Sequence, residues 1–240
     1  TATGSIERIE FADATVWDAA AIAAHTLVGV ANTQTGTAGN DTFTVDNTLD
    51  VIVEGFNQGT DTVIADVSYS LGANAENLTL TGLFDLYGNG NALNNVITGN
   101  SGNNSLSGGG GADTLIGGAG DDTYTIADSS AAIVELSGEG VDTLLSRYSF
   151  TLSGNVENLR AYSSSGSYYA YKSSFNGNAL DNVITARHGD YIDGMAGADT
   201  IIFSNYYSGN PYIYFSSWEI AGSTAYVDNP GDRVLISDAY

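Results

Sequence analysis

Four nine-residue segments follow one another without a gap over residues 90–125, and they constrain the fold more than any other feature. They read GNALNNVIT, GNSGNNSLS, GGGGADTLI and GGAGDDTYT. Six turn-forming residues precede a short segment whose middle residue is bulky and apolar: Ile97, Leu106, Leu115 and Tyr124. Because side chains alternate along a strand, one inward residue in every nine predicts a solenoid of short strands joined by glycine-rich turns.

A longer repeat contains these nonapeptides. Residues 39–80 align with residues 120–161 at a constant offset of 81, without a gap. The second copy then carries six extra residues within a segment rich in tyrosine and serine. The chain therefore holds roughly two long units of an array whose repeats contact only their neighbours. The offset matches Glu54 with Glu135 and Asp61 with Asp142, and it also matches the triplet that begins at Glu76 with the one that begins at Glu157.

The charge of the chain limits its partners. The formal net charge is −22, from 28 acidic and 6 basic residues, and no lysine or arginine lies between Arg8 and Arg147. We therefore expect no nucleic-acid partner, and no apolar segment approaches the ~18 residues that membrane insertion needs. With no cysteine, no disulfide can stabilise the fold. Metal ions, or counter-ions at high salt, could neutralise the excess carboxylates; a solvated acidic surface is the alternative.

The sixth residue of each nonapeptide suggests what stabilises the turns. These residues are Asn95, Asn104, Asp113 and Asp122. One apolar side chain per strand buries little area, whereas glycine turns are costly to order. Calcium is a hard ion that takes six to eight oxygen ligands, both carboxylate and carbonyl. The repeated carboxylate beside exposed backbone carbonyls therefore predicts calcium sites in the turns.

The period also predicts which turns face each other. In a coil of two turns and two strands, each nonapeptide stacks on the one two further along the chain. An ion would then lie between turns 99–104 and 117–122, and another between turns 90–95 and 108–113 at the opposite edge. We predict a ladder of metal sites along both edges of the solenoid.

Two of the nonapeptides, GGGGADTLI and GGAGDDTYT, resemble the RTX (repeats-in-toxin) nonapeptide. Residues 59–82 resemble the spacer of large secreted RTX proteins of bacteria, and residues 6–25 resemble the hairpin-helix segment that often closes an RTX array. The resemblance implies an all-β, right-handed parallel β-roll or β-solenoid with calcium-binding glycine-rich turns, preceded by a short N-terminal hairpin-helix segment.

The repeats divide the chain into three parts. We assign residues 1–34 to the hairpin-helix segment, residues 35–203 to the RTX β-roll with its two spacer units, and residues 204–240 to a Tyr-rich β region. The last part would also begin a further unit, because residues 225–235 resemble residues 42–52.

The resemblance also implies a set of metal ligands. Asn95 and Asn104 depart from the family's aspartate, so we expect their half-sites to bind weakly or to form Asn ladders without metal. For any single turn, the alternative is a metal-free corner of the solenoid. The glutamates and their partner aspartates in the longer coils could equally be exposed acids. The predicted metal ligands are Asp41, Asn95, Asn104, Gly108, Gly110, Asp113, Gly117, Ala119, Asp122, Asp199, Glu54, Asp61, Glu135 and Asp142.

No catalytic motif accompanies the repeats. The sequence has no G-x-S-x-G elbow, no H-E-x-x-H zinc motif and no cysteine. His25 lies in an alanine-rich segment and His188 in a degenerate turn. The repeats explain the many paired carboxylates better than a glycosidase site does. We therefore predict that the chain is not an enzyme.

The tyrosine- and serine-rich segment offers a second kind of site. Tyr168, Tyr169 and Tyr171 could stack on sugar rings or on a neighbouring copy of the protein. The alternative is that such tyrosines cover an edge of the solenoid.

The predicted function is that of an extracellular calcium-binding structural module of a secreted adhesin, surface-layer or filament-forming protein. It would fold on binding calcium and would contact copies of itself or cell-surface polysaccharide. The alternative is a calcium-dependent carbohydrate-binding module or the non-catalytic part of a secreted RTX enzyme.

Overall fold

The computed structural model describes residues 8–10, 16–18, 31–127, 129–162, 173–187, 190–204, 224–227 and 233–237. In this part of the chain the regular elements are all strands. Short parallel strands stack into a β-solenoid of about nine coils, which confirms the predicted all-β roll. No helix among these residues is long and apolar enough to cross a membrane.

One side of the solenoid is a six-stranded parallel sheet. Neighbouring strands in it are two apart in sequence, because the chain crosses to the other side between them. Its strands are β4 (Thr42–Val45), β6 (Thr62–Ala65), β8 (Asn77–Leu80), β10 (Val96–Thr98), β12 (Thr114–Ile116) and β14 (Ala132–Val134).

The opposite side is a ten-stranded sheet, in which the first eight strands are parallel. These strands are β7 (Tyr69–Ser70), β9 (Tyr87–Asn89), β11 (Ser105–Ser107), β13 (Thr123–Thr125), β15 (Thr143–Ser146), β17 (Asn158–Ala161), β19 (Val183–Arg187) and β21 (Thr200–Ser204). The sheet ends in β23 (Arg233–Ser237) and β22 (Thr224–Val227), which pair antiparallel.

Two small parallel sheets complete the two sides. The first joins β3 (Thr33–Thr35) to β5 (Val51–Val53), and the second joins β16 (Phe150–Thr151), β18 (Ser174–Asn176) and β20 (Tyr191–Asp193). The strand pairing is therefore interrupted once on each side. On the side of the ten-stranded sheet the break follows β5, and on the side of the six-stranded sheet it follows β14. The breaks are one 81-residue unit apart, and that unit contains nine strands. Because nine is odd, the second break lies on the opposite side of the solenoid.

The strand register places the apolar residue of each nonapeptide in the core. Ile97 pairs with Leu115 in one sheet, and Leu106 pairs with Tyr124 in the other. All four side chains have no exposed area. Each nonapeptide therefore stacks on the one two further along, which confirms the predicted stacking of turns.

The N-terminal segment contains the predicted hairpin. β1 (Arg8–Glu10) pairs antiparallel with β2 (Val16–Asp18), with Ile9 opposite Trp17. The helix predicted after this hairpin falls outside the described residues.

The C-terminal strands differ from the segment that they resemble in sequence. Residues 42–52, the segment that they resemble, contain β4 and the start of β5, which lie on opposite sides of the solenoid. β22 and β23 instead pair with each other in one sheet. The sequence between β22 and β23 contains Pro230 and Gly231, a strong turn signal that the first copy lacks. β22 and β23 therefore do not repeat the arrangement of β4 and β5.

Candidate metal centres

The sixth residues of the nonapeptides form a hydrogen-bonded ladder along each edge of the solenoid. The backbone N–H of Asn95 donates to Asp113 Oδ1 at 2.9 Å, and that of Asn104 donates to Asp122 Oδ1 at 2.6 Å. All four residues are buried. The stacking of turns therefore places each candidate ligand directly against the turn before it.

The ladder continues through the spacer of the second unit. The N–H of Asp122 donates to Asp142 Oδ1, and the N–H of Asp142 donates to Glu157 Oε2, both at 2.8 Å. The first unit repeats both bonds at 2.8 Å, from Asp41 to Asp61 and from Asp61 to Glu76. The two units therefore share one backbone scaffold as well as one sequence pattern.

Sequence reasoning missed Glu76 and Glu157 as members of the ladder. Each begins an E-N-L triplet whose leucine, Leu78 or Leu159, is buried in a strand. The spacing from acid to buried leucine is the one between the sixth and eighth residues of a nonapeptide. The triplets are a sequence signal for this role, but their turns begin with leucine where the nonapeptides begin with glycine.

Two clusters of three carboxylates stand out along the ladders. In each, one oxygen per residue lies within 4.8 Å of the others. Each cluster combines the last residue of a nonapeptide turn with the first and last residues of an eight-residue turn in the spacer. The predicted ligands in the longer coils are therefore brought together with nonapeptide ligands. The clusters are Asp41, Glu54 and Asp61, and Asp122, Glu135 and Asp142.

Four carboxylate oxygens in these clusters are buried without a hydrogen-bond partner. They are Glu54 Oε2, Asp61 Oδ2, Asp122 Oδ2 and Glu135 Oε2. The residues that carry them are at most 8% exposed. A buried carboxylate oxygen without a partner is costly, and native structures rarely contain one without an ion or water. Because the sequence offers no lysine or arginine between Arg8 and Arg147, a bound metal ion is the natural partner.

Glycines leave the space in which an ion would be held. A methyl group added at Gly117 would overlap carboxylate oxygens of Asp122 and Glu135, and one added at Gly36 would overlap Glu54. Both glycines occupy the first position of a nonapeptide turn. The residues present fit calcium, a hard cation that binds several carboxylate and carbonyl oxygens. When bound, calcium would supply the positive charge that these oxygens lack.

Burial sets the protonation of the second cluster. It raises the pKa of Asp122 to about 7, that of Glu135 to about 8 and that of Asp142 to about 6. The neighbouring carboxylates raise the pKa of Glu135 further, whereas the hydrogen bond from the Asn104 N–H partly lowers that of Asp122. Below these pKa values a proton therefore competes with calcium for the same oxygens.

The asparagine turns satisfy their own polar groups. Asn95 Oδ1 accepts from the N–H of Asn91 at 2.8 Å, and its amide donates to the carbonyls of Ala75 and Glu76 at 3.2 and 3.1 Å. A carboxylate cannot make these donations. The sequence left two expectations for these turns, weak metal binding or an Asn ladder without metal. The contacts of Asn95 favour the Asn ladder.

Asn182, which sequence reasoning did not select, repeats this arrangement. Its Oδ1 accepts from the N–H of Asn178 at 2.8 Å, and its amide donates to the carbonyls of Val156 and Glu157 at 3.2 and 3.1 Å. Its own N–H donates to Asp199 Oδ1 at 2.9 Å. The residue stands at the sixth position of GNALDNVIT, so its place in the nonapeptide was the available signal.

The remaining predicted ligands occupy the same turns. Gly108 lies against Asp113, whose carboxylate a methyl group at Gly108 would overlap. Gly110 and Ala119 occupy the third position of their turns, where the backbone carbonyl is the atom that could bind a metal ion. Their role as ligands stays a prediction. The candidate sugar ligands Tyr168, Tyr169 and Tyr171 lie outside the described residues, as do His25 and His188.

Comparison with known families agrees with this arrangement. The model of the RTX calcium-binding nonapeptide repeat matches in four copies, over residues 89–124 and 176–204. The model of the haemolysin-type calcium binding protein related domain matches residues 1–21. No curated protein and no solved structure matches the chain. The matches confirm the resemblance to the RTX nonapeptide and support the calcium predicted from the carboxylates of the turns.

The raised pKa values predict how stability depends on pH without calcium. In the unfolded chain these carboxyl groups titrate near pH ~4, so the folded protein binds more protons between pH ~4 and pH ~8. We expect the free energy of unfolding in chelator to fall as pH rises through this range. Urea unfolding at several pH values measures it. The matched variant Asp122→Asn/Glu135→Gln/Asp142→Asn should flatten the dependence, and stability that rises with pH in the unsubstituted protein would contradict the prediction.

The contacts of Asn95 predict the effect of a carboxylate in its place. Asn95→Asp removes two amide donations and adds a buried charge, so we expect it to cost about 1–3 kcal/mol of stability in chelator. Saturating calcium should shrink this loss, because the new carboxylate could bind the ion. Asn94→Asp is the matched control: it adds the same charge, and its oxygen can still accept from the N–H of Ala112. Equal losses for the two variants in chelator would rule out the metal-free role of Asn95.

Proposed function

We propose that this chain, which carries RTX calcium-binding repeats, is a structural module of a secreted bacterial adhesin, surface-layer or filament-forming protein, and that it folds outside the cell on binding calcium. The β-roll has no catalytic role in this proposal. Calcium acts as the staple that the chain otherwise lacks, since there is no disulfide to stabilise it.

The observation that supports this function most strongly is the set of four buried carboxylate oxygens without a partner. They lie where nonapeptide and spacer turns stack, so an ion bound there would link successive coils and not one loop alone. A ligand that binds only the folded state stabilises it by mass action. Calcium bound between coils would therefore stabilise the solenoid as a whole.

The charge of the chain suggests when folding takes place. With a net charge of −22, bringing the acidic turns together costs repulsion that calcium would relieve. Extracellular calcium modules bind in the range of about 0.1–1 mM, well above cytosolic levels. The chain would therefore stay unfolded during export and fold outside, because a preformed site rarely exists in the unfolded state.

Repetition supports a role in an extended assembly. The two 81-residue units share the hydrogen bonds of the carboxylate ladder, and successive coils pair strand by strand. Such arrays can be lengthened without a change of fold, and their open ends offer unpaired strand edges to another copy. We therefore propose self-association of the roll once calcium has folded it.

A calcium titration of the chelator-stripped protein tests the proposal. We expect far-UV circular dichroism to change from coil to β as calcium is added, with light scattering rising after the transition. Gly117→Ala, which fills the space beside Asp122 and Glu135, should shift the midpoint to higher calcium. Gly110→Ala is the matched control, because its added methyl would meet only the Ala92 Cα at 3.9 Å.

The outcomes separate the parts of the proposal. A stripped protein that is already β-rich and ignores calcium would overturn calcium-dependent folding. A calcium-dependent fold that stays monomeric at all concentrations would overturn self-association. Equal calcium midpoints for Gly117→Ala and Gly110→Ala would show that the space at Gly117 is not needed for calcium binding.

A further inference from the structure

The two carboxylate clusters are built on one scaffold, so their differences can be compared position by position. In both, the glutamate that begins the eight-residue turn is fixed by the same bond: the amide of Asn74 or Asn155 donates to the carbonyl of Glu54 or Glu135, at 3.0 Å in each case. The ladder bonds through Asp61 and Asp142 also match. Differences in calcium binding must therefore come from the side chains that vary.

The second cluster is surrounded by more negative charge. Asp121 replaces Asn40, and its Oδ1 accepts from the N–H of Val141, next to Asp142, at 2.9 Å. Glu139 replaces Gln58, and its Oε2 accepts from the N–H of Leu136, next to Glu135, at 2.7 Å. Both added carboxylates are thus held beside ligands of the cluster. Calcium affinity rises with the number of charged ligands and with nearby charges of opposite sign.

The first cluster has a ligand that is already engaged. Asp41 accepts from the N–H of Thr37 at 2.6 Å and from the Thr37 hydroxyl at 3.1 Å, and its side chain is only half-buried. In the second unit Gly118 takes the place of Thr37, so this hydroxyl is missing. The equivalent oxygen, Asp122 Oδ2, is buried and has no partner. An ion at the first cluster must therefore compete for Asp41, whereas Asp122 is available.

One difference acts in the opposite direction. The hydroxyl of Tyr124 donates to Glu135 Oε1, whereas the first unit has Phe43 at this position. The bond occupies one oxygen of Glu135 and leaves Oε2 without a partner. A single neutral donor offsets less than two added carboxylates do.

We propose that the cluster of Asp122, Glu135 and Asp142 is the tighter of the two calcium sites formed between nonapeptide and spacer turns, and that it fills before the cluster of Asp41, Glu54 and Asp61. The proposal rests on the proposed calcium-dependent function. Because the two units are an odd number of strands apart, calcium would link coils first at one edge of the solenoid and later at the other. The spacers would then set the order of folding along the array.

Isothermal titration calorimetry with calcium on the full chain at fixed ionic strength tests this order. The variant Asp121→Asn/Glu139→Gln gives the second site the surroundings of the first, and Asn40→Asp/Gln58→Glu makes the reciprocal change. Neither alters a buried ligand. We expect the first to weaken the tightest binding step about tenfold and the second to strengthen a weaker step by a similar factor. Circular dichroism at saturating calcium checks that each variant folds.

A second matched pair assigns the steps. Glu135→Gln should remove the tightest step, whereas Glu54→Gln should leave it in place. The proposal is overturned if Asp121→Asn/Glu139→Gln leaves the tightest step unchanged, or if Glu54→Gln removes it. Failure of the proposed function has a different signature, because the unsubstituted protein would then bind no calcium at all.

Discussion

Buried carboxylates stacked along the two edges of the solenoid are the constraint on which the rest of the structure depends. The aspartates among them accept a hydrogen bond from the backbone of the turn before, as Asp122 does from Asn104, so the same side chains that link successive coils also concentrate negative charge. One apolar residue per strand forms the core, and a column such as Ile97 on Leu115 is narrow. The edges must therefore contribute stability that the core cannot, and a divalent cation fits both the charge and the oxygens left without partners.

Asparagine and aspartate have different roles in the turns along each edge. The amide of Asn95 or Asn182 closes its own turn against the preceding carbonyls. The carboxylates of Asp61 and Asp122 leave an oxygen buried and unpartnered. Turns of the first kind can order without metal, whereas turns of the second kind need a cation. A solenoid that contains both kinds combines coils that are closed by hydrogen bonds with junctions that respond to calcium.

The spacers are part of this design and do not simply interrupt the repeats. Each contributes a glutamate that reaches the preceding nonapeptide turn, and each continues the ladder through Glu76 or Glu157. The 81-residue unit contains nine strands, so equivalent junctions alternate between the edges of the solenoid. An array built from such units would place a calcium-responsive junction on each edge in turn.

The nonapeptide period was sufficient to predict the short strands, the buried residues and the stacking of each turn on the one two further along. The alignment at offset 81 was sufficient to select Glu54 and Glu135, because the two units preserve these acids. It also matches Glu76 with Glu157, but their turns begin with leucine where every nonapeptide begins with glycine, and their role depends on a backbone N–H in the preceding coil. β22 and β23 pair antiparallel with each other, whereas β4 and β5, in the segment that they resemble in sequence, lie in different sheets.

The dependence of the free energy of unfolding on free calcium tests the central claim most directly. Urea unfolding at fixed ionic strength, over a series of buffered calcium concentrations, gives the number of ions that folding takes up from the slope against the logarithm of calcium activity. We predict a positive slope equivalent to at least two ions, one for each carboxylate cluster. A slope of zero would show that the buried carboxylates are accommodated without calcium and would contradict this account.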